Sequence, residues 1–500
     1  MRRLTKSVVV AIALVLAWAC GDGYAEAPAT PQEDAGVDAS RDVTTVLEAS
    51  VVQPSLVLGT TAAIPRGESG TIPVSIVRGA HPGALVVAVS GLPAGVSAPA
   101  ATIEPGSSSA TLTINVANDA PEGAVSLDVA LLSGSEKLAT AATVITIDPP
   151  RPGTLDPTFG NDGFVDLDIP PTLVAFASDG ALYVDAASGL ARWTKDGVRD
   201  AAYGPLTKPA SQTFWAMTVT DNGQVYFSGY ASALNASSPI VVRTSTDGKS
   251  WDATFAGGGP AIVKTAPGAK YATAIALAVL PTSIYAVTKV EEDSTGNPGP
   301  FTIARMDSGG ASDPAYGTGG YRQLPSAVSG ELAALLAPIA IDHYLVAAPH
   351  VSAGVTSYFL HEGTSAGLVL RSLDEGTPAA IAFHPAGTYV AKTADAGAGI
   401  VRIGDAGVDP SFGGATGIRS NGEVRALSVD ADGRPLTAGC RDGAAAWDRY
   451  LPDGGADPAY RAGTTTELTC IRATRTTDKY VYLAGTGGPL NYLRIARLLR

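Results

Sequence analysis

Short stretches of strict alternation dominate the chain from about residue 51 onward. Ile72, Val74 and Ile76 alternate with polar or small residues, as do Leu112, Ile114 and Val116, and then Val125, Leu127, Val129 and Leu131. A period of two marks strands with one buried face. Turn clusters separate these runs at Pro65-Arg66-Gly67, Gly79 to Gly83, Glu104-Pro105-Gly106 and Asp119 to Gly123. Six or seven strands between residues 51 and 148 predict a β-sandwich. Asp148-Pro149-Pro150-Arg151-Pro152-Gly153 is stiffened by its prolines and sets a domain boundary. Beyond it the alternation continues in units of four short strands. One unit offers 260–265, 272–280, 283–290 and 301–307. Another offers 415–420, 424–430, 434–440 and 444–451.

A turn motif punctuates these units: Asp, two small residues, an aromatic, and usually Gly. It appears at Asp156–Phe159, Asp200–Tyr203, Asp252–Phe255, Asp313–Tyr316, Asp409–Phe412 and Asp457–Tyr460. Most copies stand roughly 45–60 residues apart, and a double gap after Asp313 leaves room for a degenerate copy near Leu360-His361-Glu362-Gly363. The Asp side chain can accept a bond from the backbone two residues on, which fixes the turn and aims the aromatic. An Arg precedes most copies by seven to nine residues: Arg192, Arg243, Arg305, Arg402 and Arg449. Asp156 lacks such an Arg before it, whereas the last strand, 490–499, carries Arg494 and Arg497 with no Asp turn after it. That strand is expected to pack beside the first Asp turn and close a ring. Four-stranded units in a ring predict a seven-bladed β-propeller over 153–500, so the fold class is all-β.

The segments 153–164 and 405–413 resemble the delta-60 repeat, a family of bacterial propeller repeats. The resemblance extends over nearly all of 153–500 and implies the propeller fold and an exported location, with no catalytic residues to carry over. The loop Gly91-Leu92-Pro93-Ala94-Gly95-Val96 resembles one common in bacterial immunoglobulin-like modules. It implies that 51–148 is an immunoglobulin-like spacer or adhesive unit.

The N-terminus changes the picture of location. Arg2, Arg3 and Lys6 precede an apolar run, 8–19, too short for a comfortable membrane span. Ala17-Trp18-Ala19-Cys20 resembles a bacterial lipobox, with Ala17 where Leu is usual. Residues 1–20 are thus expected to be a lipoprotein signal peptide with Cys20 lipidated; the alternative is an ordinary signal cut near Ala19. Residues 21–50 carry seven carboxylates against Arg41 and no periodic apolar pattern, as expected of a disordered acidic tether. The net charge is −13 with no basic stripe, which argues against nucleic acid as a partner.

Candidate chemistry is sparse. Ser245-Thr246-Asp247-Gly248-Lys249-Ser250-Trp251 is one residue short of the Asp-box hairpin of sialidase-type propellers. Asp430-Ala431-Asp432-Gly433 and Asp221-Asn222-Gly223 offer too few oxygens for calcium and read as hairpin turns. His343, His350 and His361 fit no zinc spacing. Cys440 and Cys470 are either a disulfide or two free thiols, and their isolation argues against metal or nucleophilic roles. No catalytic, cofactor or metal residues are assigned. The leading expectation is a monomeric, non-enzymatic lipoprotein, held to a membrane by its lipid at the outer membrane or cell surface. It would bind a protein or glycan through propeller loops. An enzyme acting on an extracellular glycan or small molecule in the channel, and a structural spacer, are the alternatives. Converging ionisable groups in the channel would favour the enzyme.

Overall fold

The computed structural model describes residues 52–170, 173–233, 236–291, 299–327, 335–340, 343–352, 355–364, 367–372, 377–394, 397–404, 407–414, 416–420, 422–487 and 492–500. The expected signal peptide with Cys20, and the tether, lie outside them. Among the described residues there is no α-helix, only a 3-10 turn at Phe255–Gly257.

The alternating runs of residues 55–148 fold into two facing sheets. One holds Ser55–Leu58, Ser69–Val77, Ser109–Val116 and Val96–Ser97; the other holds Ile64–Pro65, Glu136–Asp148, Gly123–Ser133, Leu85–Ser90 and Ala101–Ile103. The inward residues Ile72, Val74, Leu112, Ile114, Leu127, Val129, Leu131 and Ile145 form one continuous core. The strand count exceeds the six or seven expected because the sandwich also pairs two-residue edge pieces, Ile64–Pro65 and Val96–Ser97. Ile64 and Val96 are nonetheless buried in that core. The proline segment does not hang free. Trp447 Nε1 donates to the Gly153 carbonyl (3.2 Å), the Arg461 amide donates to Pro152 (2.6 Å), and Arg151 faces Glu68 of the sandwich.

From residue 164 the strands form successive antiparallel groups. Their inner strands are Leu173–Phe176, Gln212–Val219, Tyr271–Val279, Leu335–Ala340, Thr377–His384, Glu423–Val429 and Cys470–Thr476. Each inner strand neighbours the next, and the last neighbours the first, so they surround a common channel in a β-propeller arrangement. The short strand that follows every Asp turn but Asp200–Tyr203 departs from expectation. Ala261–Ile262 pairs with Ala236–Arg243 of the preceding group, and Ile418–Arg419 pairs with Gly397–Gly404. Such a unit therefore supplies the outer strand of one sheet and the inner strands of the next, while the first sheet, with three strands, receives no such outer strand. The offset explains the last strand: Phe164–Asp166 pairs with Tyr492–Leu499, so the two ends of the propeller meet in one sheet.

The Asp turns and the arginines converge as a repeated staple. Each Asp carboxylate accepts the amide two residues on: Thr158, Ala202, Thr254, Ala315, Ser411 and Ala459, at 2.8–3.0 Å. Its second oxygen meets the arginine of the preceding strand or, for Asp156, of the last strand. Arg243–Asp252, Arg402–Asp409, Arg449–Asp457 and Arg497–Asp156 lie at 2.8 Å, Arg305–Asp313 at 2.5 Å and Arg192–Asp200 at 3.5 Å. The arginine also reaches the adjacent sheet, as Arg243 does to the Ser308 carbonyl, Arg402 to Pro452 and Arg497 to Lys195. Phe159, Tyr203, Phe255, Tyr316, Phe412 and Tyr460 are buried in seams between consecutive sheets, where burial is worth about 1.5–3 kcal/mol for a large side chain.

The degenerate unit differs from expectation. Leu360 to Gly363 is not a turn; it lies within the strand Val355–Thr364, where other groups carry their arginine. Thr364 pairs directly with Gly367 in a hairpin that takes the place of the Asp turn. Tyr344 pairs with Gly363 there, and a side chain at 363 would collide with the Tyr344 ring. The Tyr316 hydroxyl donates to the Tyr344 hydroxyl, and Arg322 covers the Tyr316 ring at 4.8 Å.

Candidate functional site

The repeat residues lie in the seams and do not line the channel, so the repeated arginines serve the carboxylates beside them. Burial pushes the phenols of Tyr203, Tyr316 and Tyr460 above their ordinary range, which keeps them neutral packing groups.

The channel has a volume of about 510 Å³. One wall is aliphatic or small, with Met217, Ile275, Leu277, Leu335 and Ile381 among its residues. The other, from the two last inner strands, carries Arg425, Arg472 and Arg475. Glu423 is the acidic residue on the described inner strands, and it is taken up by Arg425 through contacts of 2.8 and 3.2 Å. Arg472 and Arg475 are exposed, and among the described residues neither guanidinium has a hydrogen-bond or ion-pair partner.

A backbone irregularity aims these side chains. Six inner strands carry one extra residue against their partner; in Leu335–Ala340 it is Ile339, just after the residue facing Tyr344, and in the other five it is Trp215, Ile275, Ala379, Arg425 and Arg472. Each of these five stands three places before the residue that faces Tyr226, Tyr285, Tyr389, Leu436 or Tyr482 on the second strand. A bulge bends its strand and re-aims the extra side chain, and four of these five residues line the channel. Opposite three of the bulges the second strand has glycine: Gly229, Gly439 and Gly485. A Cβ at Gly229 would strike the Thr213 carbonyl, and one at Gly485 the Cys470 carbonyl.

The other sequence candidates take structural places. In the Asp-box-like segment, Ser245 Oγ donates to Asp247 (2.6 Å), and Trp251 packs on Phe214 and Phe227. Asp430 caps its own hairpin: it accepts the amides of Asp432 (3.0 Å) and Arg434 (2.9 Å) and pairs with the Arg434 guanidinium. Asn222 accepts from the Thr220 hydroxyl and the Gln224 amide. His343 contacts Glu362 at 2.8 Å, His361 is buried, and His350 lies in the strand His343–Ser352. Among the described residues no three His, Cys, Asp or Glu side chains could together hold a metal. Cys440 and Cys470 form a disulfide across 4.8 Å between Cα atoms, tying the last two sheets together beside the channel arginines.

Sequence reasoning passed over two sets of residues. The first is the tyrosines Tyr183, Tyr226, Tyr285, Tyr389 and Tyr482, which pair across the hairpin with Arg192, Arg243, Arg305, Arg402 and Arg497. The second is the bulge positions; Arg472 and Arg475 on an otherwise apolar and small inner strand were the available signal.

No protein-family model matches the chain, and no curated protein is similar to it in sequence. Among solved structures, a gluconolactonase from Xanthomonas campestris is similar at 15% identity, over 70% of this chain and 95% of that one, with a TM-score of 0.33. An α-L-arabinanase from Penicillium chrysogenum is similar at 10% identity, over 67% of this chain and 98% of that one, with a TM-score of 0.33. Prolyl oligopeptidase B from Galerina marginata is similar at 11% identity, over 66% of this chain and 50% of that one, with a TM-score of 0.39.

Proposed function

We propose that this is an exported, lipid-anchored binding protein whose propeller channel takes an anionic ligand. In this reading residues 1–20 are a signal peptide ending at a lipidated Cys20, and 21–50 are a tether. Residues 51–148 are an immunoglobulin-like spacer, and 153–500 close as a monomeric seven-bladed propeller of delta-60 type at the cell envelope. Seven inner strands in sequence, each beside the next and the last beside the first, support that blade count.

The carrying observation is the pair Arg472 and Arg475, exposed on one inner strand with no side-chain partner among the described residues, in a chain whose net charge is −13. Guanidinium groups bind carboxylate and phosphate by paired hydrogen bonds. Binding fits these groups better than hydrolysis does, because general acid–base chemistry on a glycoside uses two carboxylates and Glu423 is held by Arg425. Calorimetric titration of the full-length protein with acetate, inorganic phosphate and sulfate tests the reading. Saturable binding lost in Arg472→Ala and Arg475→Ala is expected. Binding that is unchanged in both variants, or turnover of a glycoside, would overturn it.

A further inference from the structure

The side chains around the channel are sorted by strand. Among the described residues that line it, those from the first five inner strands are apolar or small except for Thr218. Ile275 and Leu277, Leu335 and Leu336, and Ile381 stand on three consecutive inner strands, each beside the next. On Tyr271–Val279 the alternation buries Ala274, Ala276 and Ala278 and leaves Ile275 and Leu277 half-buried. The larger side chains thus stand on the less buried face, where they line the channel. The guanidinium groups come from the sixth and seventh strands, Arg425 on one and Arg472 and Arg475 on the other. In the order of strands around the ring, the third and fourth are the farthest from the seventh. An aliphatic wall and a cationic wall therefore face each other across one cavity of about 510 Å³. Glu423 already engages Arg425, which leaves Arg472 and Arg475 for a ligand. A small anion would use their side alone and leave the aliphatic wall against water. A ligand that covers both walls also gains from the apolar area it removes from water.

We propose that the channel ligand is an amphiphilic anion, a carboxylate or phosphate on an unbranched alkyl chain. Its head sits on Arg472 and Arg475, and its tail lies along Ile275, Leu277 and Ile381. This deepens the anion-binding reading and rests on it. A guanidinium fork accepts either head, so the shared chemistry is one charged end and one alkyl tail.

The test is calorimetric titration with acetate, butyrate, hexanoate, octanoate, octyl phosphate and 1-octanol, each below its micelle concentration. It uses the full-length chain with Cys20→Ser, which takes no lipid and so needs no detergent. Full burial of a methylene is worth about fourfold in affinity; a tail covered from one side should gain about twofold for each, and so about 60-fold for octanoate over acetate. 1-Octanol should bind about tenfold more weakly than octanoate, and Arg472→Gln should weaken octanoate about tenfold. Leu277→Ser should lower the ratio of octanoate to acetate affinity severalfold. The tighter of octanoate and octyl phosphate identifies the head. The chain-length series uses no channel variant, so it decides the matter even where a substitution prevents folding. Octanoate no tighter than acetate overturns the alkyl tail and leaves anion binding standing. 1-Octanol as tight as octanoate overturns the placement of the head on the arginines. Failure of every acid to bind overturns both readings.

Discussion

Two seams of the propeller differ in what holds them. The seam where the chain ends meet contains Phe159 against Tyr482, with Arg497 over the Phe159 ring at 4.6 Å and paired with Asp156 while almost fully buried. Among the described residues, the seam between the Tyr344 and Tyr389 sheets shows neither aromatic wedge nor Asp turn; Leu345, Ala347, Val390, Val401 and Ile403 pack in it. The described core of this seam is aliphatic, where the strands run straight into a hairpin. Where a turn must be crossed, the carbonyls it exposes and the space beneath it need a polar and an aromatic filler. The staple supplies both in one unit.

The largest test of this contrast removes residues 493–500. That takes away Arg497 and the strand that pairs with Phe164–Asp166, and thermal unfolding of the truncated protein should lose its cooperative transition. A transition at the full-length temperature would show that the ends are not what closes the sheet. Next in size, Arg497→Ala leaves the buried Asp156 carboxylate without its cation and should cost about 3–5 kcal/mol in denaturant unfolding. Arg192→Ala, whose pair with Asp200 is partly exposed at 3.5 Å, should cost about 1 kcal/mol or less. Equal losses for the two would remove burial as the deciding factor.

Reduction of Cys440–Cys470 acts on a third seam. Releasing a loop of 30 residues should cost about 3–4 kcal/mol, seen as a lower melting temperature in reductant that a Cys440→Ser variant reproduces. The smallest effect is one of pH. The Ser411 hydroxyl and amide, followed by Arg402, hold the Asp409 carboxyl below its ordinary range. Burial pushes Asp252 up, but bonds from Thr254 and Arg243 outweigh it and hold that carboxyl low as well. A carboxyl lowered in the folded state stabilises fully above its unfolded pKa, about 3.9, and the benefit disappears as pH falls through the folded value. The melting temperature should therefore be level from neutrality to about pH 4 and fall below it, less steeply in Asp409→Asn.

Much of the fold was legible in the chain because its determinants are local. Alternation named the sandwich faces, so Ile72, Val74, Leu112 and Ile114 could be placed in a core before any sheet was known. The Asp turn is written within four residues, since the carboxylate bonds its own backbone two places on. The arginines were visible because each sits a short strand end and turn before its Asp. The partner tyrosines were not, because hairpin length varies: Tyr183 and Arg192 are nine residues apart, whereas Tyr285 and Arg305 are twenty. A cross-strand pair has no fixed sequence spacing.

The sequence by itself determined two β-rich regions, their punctuation, and the residues that form each turn. Tertiary structure decided which sheet each outer strand joins, where the disulfide ties two sheets, and which side chains face the channel. The reason is range. A turn is set by bonds among neighbours in the chain, but whether Arg472 faces the channel depends on a bulge permitted by Gly485 on another strand. Whether Arg497 finds Asp156 depends on bringing together residues from opposite ends of the propeller.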